Sequence, residues 1–396
     1  MMKKHFLLYI LIFVIIFCCF IYAKTNKSEN QKNEVVFWTL QLSTFDKYIN
    51  NIISEFEKEN PTIKIKWIDI PYSEGEKRTL ASILTDNPPD LVNLTPDFSL
   101  LLAQKNALYT IDKEDLKDYL PSILETLKYN DKYFGIPFYA TTAVTLYNKE
   151  ILKGNPPKTY DELLSSKNRI MLNLAENDTL LKILNKYNIN SPETINNDKS
   201  IKLFELIKKD YLNGNILKES LTQTHRDSLE KYMSGQISIL VTGANFINMI
   251  KENAPSIYKN TEISYQLVGD TNAYDYSLMN FVIPKKAHNK EIALKFAIYL
   301  TNKTNQLEFA KLTTILPVNK YALKDDYFTK EIDNTIETKA RIISAIQLNN
   351  TQPPIKNIKN KKELNILSAN AIQEILINNA DIELTLNNLS ENWEKL

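Results

Sequence analysis

The pattern of apolar and polar positions changes character several times along the chain. Lys3, Lys4 and His5 precede an unbroken apolar run from Phe6 to Ala23. A cationic start followed by an apolar core is the pattern of an export signal, and the positive end stays in the cytoplasm while the rest of the chain goes outward. The run is long for a signal core of ~7–15 residues and reaches the ~18 residues that span a bilayer. Its residues allow three fates. Cleavage after Ala23 has the bulky Ile21 against it, and lipidation at Cys18 or Cys19 has Phe17 against it. The third fate is retention as an uncut anchor. Residues 1–23 are therefore expected to be a signal peptide or membrane anchor, with a tether of some kind preferred, and the polar stretch 24–33 a linker.

After Asn33 the periodicity becomes that of a globular chain. Glu34 to Leu40, with Val35, Val36, Phe37 and Trp38 in succession, predicts a strand buried on both faces. Ile49, Ile52, Ile53 and Phe56 form one helical stripe, and Asn60-Pro61 stops it. Ile63, Ile65 and Trp67 alternate with Lys64 and Lys66, a strand period. A helix is expected near Glu76 to Leu84, and a short strand from Leu91 to Leu94 after Pro88-Pro89-Asp90. Alternating strands and helices predict right-handed crossovers and a mostly parallel sheet. Farther on, Thr159 and Glu162 make a capping box for Tyr160 to Leu164, and Ser191-Pro192 opens a helix. Gly235 closes one near Leu229 to Met233, and Ile237 to Val241 reads as a strand. Ile292, Phe296 and Leu300 mark an amphipathic helix with Asn289 as N-cap.

Composition narrows the chemistry. The 396 residues carry a formal net charge of +1 and 43% apolar side chains, so two domains are the prior. Nucleic acid is not the expected partner, because phosphate binding needs clustered cations. Cys18 and Cys19 are the only cysteines and both lie in the leader, so the body has no disulfide, thiolate metal ligand or cysteine nucleophile. His225 and His288 stand alone without metal-type spacing and read as solvated loop residues. Only seven glycines are present, with no phosphate loop and no Gly-x-Ser-x-Gly elbow. No catalytic residue, metal or cofactor is expected, although a carboxylate pair of the glycosidase kind is not singled out or eliminated by spacing.

A family resemblance emerges from the motifs in order. Val36-Phe37-Trp38-Thr39 resembles an opening "fWt" strand, Phe56-Glu57-Lys58-Glu59-Asn60-Pro61 its helix end, and Pro89-Asp90-Leu91-Val92 a "PDv" strand. Gly135-Ile136-Pro137-Phe138 is similar to "YGlPy" and Tyr147-Asn148-Lys149-Glu150 to "yYNkdl". Pro157 to Leu163 looks like "P.TWdEl", with Tyr160 in place of Trp. Met233-Ser234-Gly235-Gln236 through Thr242-Gly243 resembles "f.sGkaAm...G.w". Phe281 to Pro284, Phe309-Ala310-Lys311 and Leu316-Pro317-Val318 match the closing pattern. From about Glu34 to Ala322 the chain resembles the extracellular solute-binding proteins of family 1, which include maltose- and glycerol-phosphate-binding proteins. Two departures fall near the expected ligand: Tyr276-Ser277-Leu278-Met279 where a Gly-Gly element often stands, and an aromatic displaced to Phe246.

The resemblance implies an α/β, two-lobed periplasmic-binding-protein fold with a ligand cleft between lobes, closing by a hinge. Lobe 1 is expected over about 34–140 plus part of 245–325, and lobe 2 over about 141–244 plus part of 325–396. It implies a receptor at the outer face of the cytoplasmic membrane or in the periplasm. That receptor would deliver a small polar ligand, a sugar or oligosaccharide, to the permease subunits of an ABC importer. A ligand-presenting sensory protein and a carbohydrate-active cleft enzyme are the alternatives. Sugar chemistry needs flat apolar faces and fixed polar groups. The expected ligand contacts are therefore Trp38, Thr39, Gln41, Thr95 and Asp97 near strand ends, Tyr139 as aromatic platform, Thr141, Gly243 and Asn245, and Tyr276 with Tyr274 as its alternative. For Trp38 and Tyr139 the competing role is core packing, for Thr39 and Gln41 a solvated loop, and for Asp97 the capping of a helix.

Overall fold

The computed structural model describes residues 33–174, 178–355 and 360–396. The export segment and residues 24–32 of the linker lie outside the described residues. No helix among the described residues is long and apolar enough to cross a membrane. The chain divides into two compact units.

The first unit comprises residues 33–119, 127–138 and 279–309. Its strand Glu34–Leu40 pairs in parallel with Lys64–Ile70 along its full length, and with Leu91–Leu94 on the other side through Phe37 and Trp38. Leu91–Leu94 then pairs antiparallel with residues 280–282. Those residues return from far along the chain, without the crossover helix that a parallel neighbour requires. The opening strand is closed on one face only. Val35 and Phe37 are fully buried, whereas Val36 and Trp38 are half-buried, so the expectation of a strand buried on both faces is corrected. Phe37 meets Phe281 and Phe296 edge-on, with ring centroids 5.6 and 5.3 Å apart, an arrangement that the aromatic quadrupole favours. Helix Asp46–Glu59 packs its stripe of Ile49, Ile52, Ile53 and Phe56 inward. Asn289 does precede helix Lys290–Leu300, but its side chain caps nothing. Its amide instead donates to the Glu34 carbonyl at 2.9 Å, tying the helix start to the first strand.

The second unit comprises residues 120–126, 139–278 and 310–396. The strand Ile136–Asn148, from Tyr139 onward, is its spine. It pairs antiparallel with Ile239–Gly243 and with Thr261–Ser264, and through Tyr139 and Ala140 with Leu316–Pro317. These pairings place residues 245–278 and 310–325 in this unit, and residues 279–309 are the part of 245–325 that belongs to the first. The same pairings make the sheet antiparallel here, so a mostly parallel sheet describes only the strands Glu34–Leu40, Lys64–Ile70 and Leu91–Leu94. Thr159 caps helix Tyr160–Ser165 by accepting from the Glu162 N–H at 3.1 Å. The Glu162 carboxylate accepts from the Lys158 N–H instead of the Thr159 N–H. A large apolar core gathers Leu184, Leu203, Phe204 and Ile207 with Ile372, Ile375, Leu386, Leu389 and Trp393. The C-terminal helices Lys361–Leu376 and Ile382–Glu394 are thus part of this core. Each such buried side chain contributes ~1.5–3 kcal/mol relative to exposure.

Candidate functional site

The second unit encloses a cavity of about 430 Å³, within the range of small-molecule sites. Each wall follows from local structure. The spine strand brings Thr141, Thr142 and Ala143 to it. The end of strand Ile239–Gly243 and the turn after it bring Thr242, Gly243, Asn245 and Phe246. Gly243 leaves room for the Asn245 side chain, into which a Cβ at this position would run. Helix His225–Met233 contributes His225, whose Nε2 lies 3.0 Å from Thr242 Oγ1 and whose ring leans on Phe246 at 4.9 Å. The expectation of a solvated loop histidine is corrected: His225 begins a helix and is part of the cavity wall.

The floor is a polar network anchored by an internal cation. Lys186 is completely buried at the C-terminal end of helix Thr179–Asn185, where the helix dipole favours a cation. Its ammonium lies 2.9 Å from Asp275 Oδ2 and donates to Gln266 Oε1 at 3.1 Å and to the Ala273 carbonyl at 3.4 Å. Burial pushes this ammonium below its ordinary range, Asp275 pulls it back up, and Lys182 adds to the lowering. Gln266 Oε1 also accepts from the Asp275 N–H at 2.7 Å, and the Gln266 N–H donates to Gln347 Oε1 at 2.6 Å. Gln347 Nε2 in turn donates to Thr142 Oγ1 and to the Ala143 carbonyl. Asp275 and Gln266 line the cavity while their remaining bonds fix them from behind, which gives polar groups held in place without a ligand.

Thr141, Gly243, Asn245 and Tyr276 line this cavity together. The Tyr276 hydroxyl is bonded to Thr126 Oγ1. Burial raises its pKa and the Thr126 bond lowers it, so its ring face, more than its hydroxyl, is on offer. Tyr274, its alternative, stacks on Tyr265 with centroids 6.0 Å apart and bridges to Thr351, off the cavity wall. Tyr139 is half-buried and pairs with Pro317, also off this wall.

Trp38, Thr39, Gln41, Thr95 and Asp97 belong to the first unit. Thr39 is fully buried, donates to Asp69 Oδ1 at 2.6 Å and accepts from Trp67 Nε1 at 2.7 Å. Trp38 packs against the core cluster that contains Val92, Leu94 and Phe98, and its buried indole nitrogen has no hydrogen-bond partner among the described residues. Gln41 is exposed with φ of 55°. Thr95 precedes helix Pro96–Gln104 without a side-chain cap bond, and Asp97 is exposed in the first turn of that helix. Sequence reading missed Asn173, Lys186, Gln266 and Asp275. Asp275 carried a faint signal, an acid between two tyrosines, and Lys186 carried none. Among the described residues no cluster of His, Cys, Asp and Glu is arranged to hold a metal.

The chain compares closely with known binding proteins. It is 21% identical to the galactooligosaccharide-binding protein of Bacillus subtilis, across 93% of this chain and 90% of that one. Its fold is that of the maltose-binding protein MalE of Listeria monocytogenes, with a TM-score of 0.74 at 19% identity over 92% of this chain and 97% of that one. The sugar-binding protein MalE of Xanthomonas citri gives a TM-score of 0.74 at 17% identity, covering 91% and 96%. All three are named as binding proteins. The family model described as "Bacterial extracellular solute-binding protein" matches residues 51–336, and the chain belongs to that family.

Proposed function

We propose that the protein captures a mono- or oligosaccharide outside the cytoplasm and hands it to the permease subunits of an ABC importer. The observation that carries this reading is the cavity of the second unit. It combines ring faces of Tyr160, Phe246 and Tyr276 with polar groups fixed from behind, Asp275, Gln266 and Asn173. Carbohydrates present both kinds of surface, C–H faces that favour aromatic rings and hydroxyls that need oriented partners. The names of the B. subtilis and L. monocytogenes proteins support the same ligand class. Thr141, Gly243, Asn245 and Tyr276 are the proposed contacts on this wall. Trp38, Gln41, Thr95, Asp97 and Tyr139 are proposed contacts that lie off it, and the two compact units are taken as the two lobes. The segment 1–23 is proposed to tether the protein to the membrane, since its apolar run is long and its cleavage signals poor.

The test is thermal unfolding of the full chain in a non-glycosidic detergent. The compounds are maltose, maltotetraose, a galactooligosaccharide, D-tagatose and, as a non-sugar control, glycerophosphocholine. A ligand at ~100 times its Kd adds ~2.7 kcal/mol to native stability, a readable rise in midpoint. A rise with a sugar supports the reading. A rise with the phosphodiester alone, or with none of the compounds, counts against it.

A further inference from the structure

Among the described residues, the wall of the second unit's cavity holds one buried side-chain polar atom that nothing engages, Nδ2 of Asn173. Asn173 is only 9% exposed. Its Oδ1 accepts from Ser228 Oγ at 2.9 Å, and Ser228 is itself fully buried on helix His225–Met233. The backbone at Asn173 is left-handed, with φ of 50°, a conformation that asparagine tolerates and most side chains avoid. The preceding residues are fixed as well. Ile170 bridges to Ile216, and the Leu172 N–H donates to Ser220 Oγ at 3.2 Å. The amide is therefore anchored at its oxygen and along its backbone, with its NH2 left over. A buried donor without a partner costs ~1–3 kcal/mol, and buried polar groups are otherwise nearly all bonded. Gln266, on the same wall, is likewise held at its side-chain oxygen. Its Oε1 is taken by Lys186 and by the Asp275 N–H, which turns its NH2 away from them.

We propose that Asn173 is a specificity-determining residue whose Nδ2 donates to an acceptor oxygen of the bound solute. The inference rests on the carbohydrate reading and narrows it. The solute must present a hydroxyl, ring or glycosidic oxygen with a free lone pair at this point of the wall. A solute with an ammonium or methyl group there leaves the donor unmet and is rejected, because stranding a built-in polar group is what makes such sites selective.

The test compares Asn173→Asp with the full-length wild type in a non-glycosidic detergent, by calorimetry with maltotetraose and with a galactooligosaccharide. Aspartate keeps the shape, tolerates the left-handed backbone and still accepts from Ser228, but replaces the free donor with an acceptor. The expected result is a Kd at least tenfold weaker, about 1.4 kcal/mol, in a protein that is still folded before ligand is added, its unfolding midpoint lowered at neutral pH because the new carboxylate is buried. Asn173→Gly, which keeps the backbone conformation and removes the amide, is expected to weaken binding to the same degree and carries the test if the aspartate variant does not fold. Wild-type affinity in the variants overturns the inference while leaving the carbohydrate reading intact. So does a fall in stability with wild-type affinity, which makes Asn173 a structural residue. Absence of binding by the wild type to either sugar overturns the carbohydrate reading, and this inference with it.

Discussion

The ammonium of Lys186 lies 2.9 Å from Asp275 Oδ2, with the lysine wholly buried and the aspartate at the cavity wall. A buried ion pair is weak evidence of stabilisation, because desolvation consumes most of the Coulombic gain. Its visible consequence is orientation: Asp275 is held with one carboxylate oxygen committed and the other unencumbered. Losing one partner leaves an uncompensated charge in a low-dielectric surrounding. Lys186→Met is therefore expected to cost about 3 kcal/mol, toward the lower end of the usual range because Asp275 is partly exposed. The double variant Lys186→Met, Asp275→Leu is expected to recover much of that loss, as measured by urea unfolding.

Asp210 offers a pH test. It is 4% exposed, its Oδ2 has no partner, and its Oδ1 accepts from Asn215 at 3.0 Å. Burial raises its pKa above 3.8, against the opposing Asn215 bond and Lys209 charge. A carboxyl whose folded pKa exceeds its unfolded value gives stability at acid pH that is lost as pH rises through the folded value. Asp210→Asn is thus expected to be more stable than wild type near neutral pH. That advantage should shrink as the solution is acidified. Denaturant midpoints for both proteins across the acid range check the sign.

The tyrosines set the alkaline limit. Burial raises Tyr119, Tyr160 and Tyr232 far above the ordinary 10.0. The native state keeps these protons where the unfolded chain releases them, so stability is present below 10 and falls as pH climbs beyond it. Tyr160→Phe is expected to flatten the fall of stability above about pH 10. A profile as steep as that of wild type shows that Tyr160 does not contribute.

Gly243 and Asn245 can be separated experimentally. The backbone at Gly243 has φ of −72°, so alanine is not strained there, yet its Cβ displaces the Asn245 side chain. Gly243→Ala is expected to cost less than about 1 kcal/mol of stability while weakening sugar binding as much as Asn245→Ala does. A Kd changed by the asparagine variant alone refutes the linkage.

The tether is tested by fractionation. Full-length protein is expected with membranes, and the chain without residues 1–23 in the soluble fraction. Native protein recovered in the soluble periplasmic or culture fraction after expression of the full-length chain argues for simple cleavage.

What the sequence made legible was local. The stripe Ile49, Ile52, Ile53, Phe56 and the strands at Glu34–Leu40 and Leu91–Leu94 depend on neighbours within a few residues, and they appear over the residues read, although Glu34–Leu40 is buried on one face only. Thr141, Gly243, Asn245 and Tyr276 were reached through motif resemblance and share one wall. The rest of that wall was opaque because its logic is long-range. Lys186 gains a partner 89 positions later in Asp275, and Asn173 gains one 55 positions later in Ser228. The surroundings of Thr39 were opaque for a related reason. A strand-end threonine looks available until the Asp69 carboxylate from the next strand claims its hydroxyl.

The packing of the last two helices bears on how the protein reaches its destination. Leu386, Leu389 and Trp393 complete a core begun by Leu184 and Phe204. Asn387 and Ser390 also hydrogen-bond back to Asn196 and Pro192. Contacts this distant in sequence close late, since loop-closure entropy must be overcome first. During synthesis, then, the second unit stays incomplete until almost the whole chain has emerged. An exported polypeptide that must thread a translocation pore unfolded benefits from that delay. A chain truncated after the family match at residue 336 would leave that closure permanently unfinished.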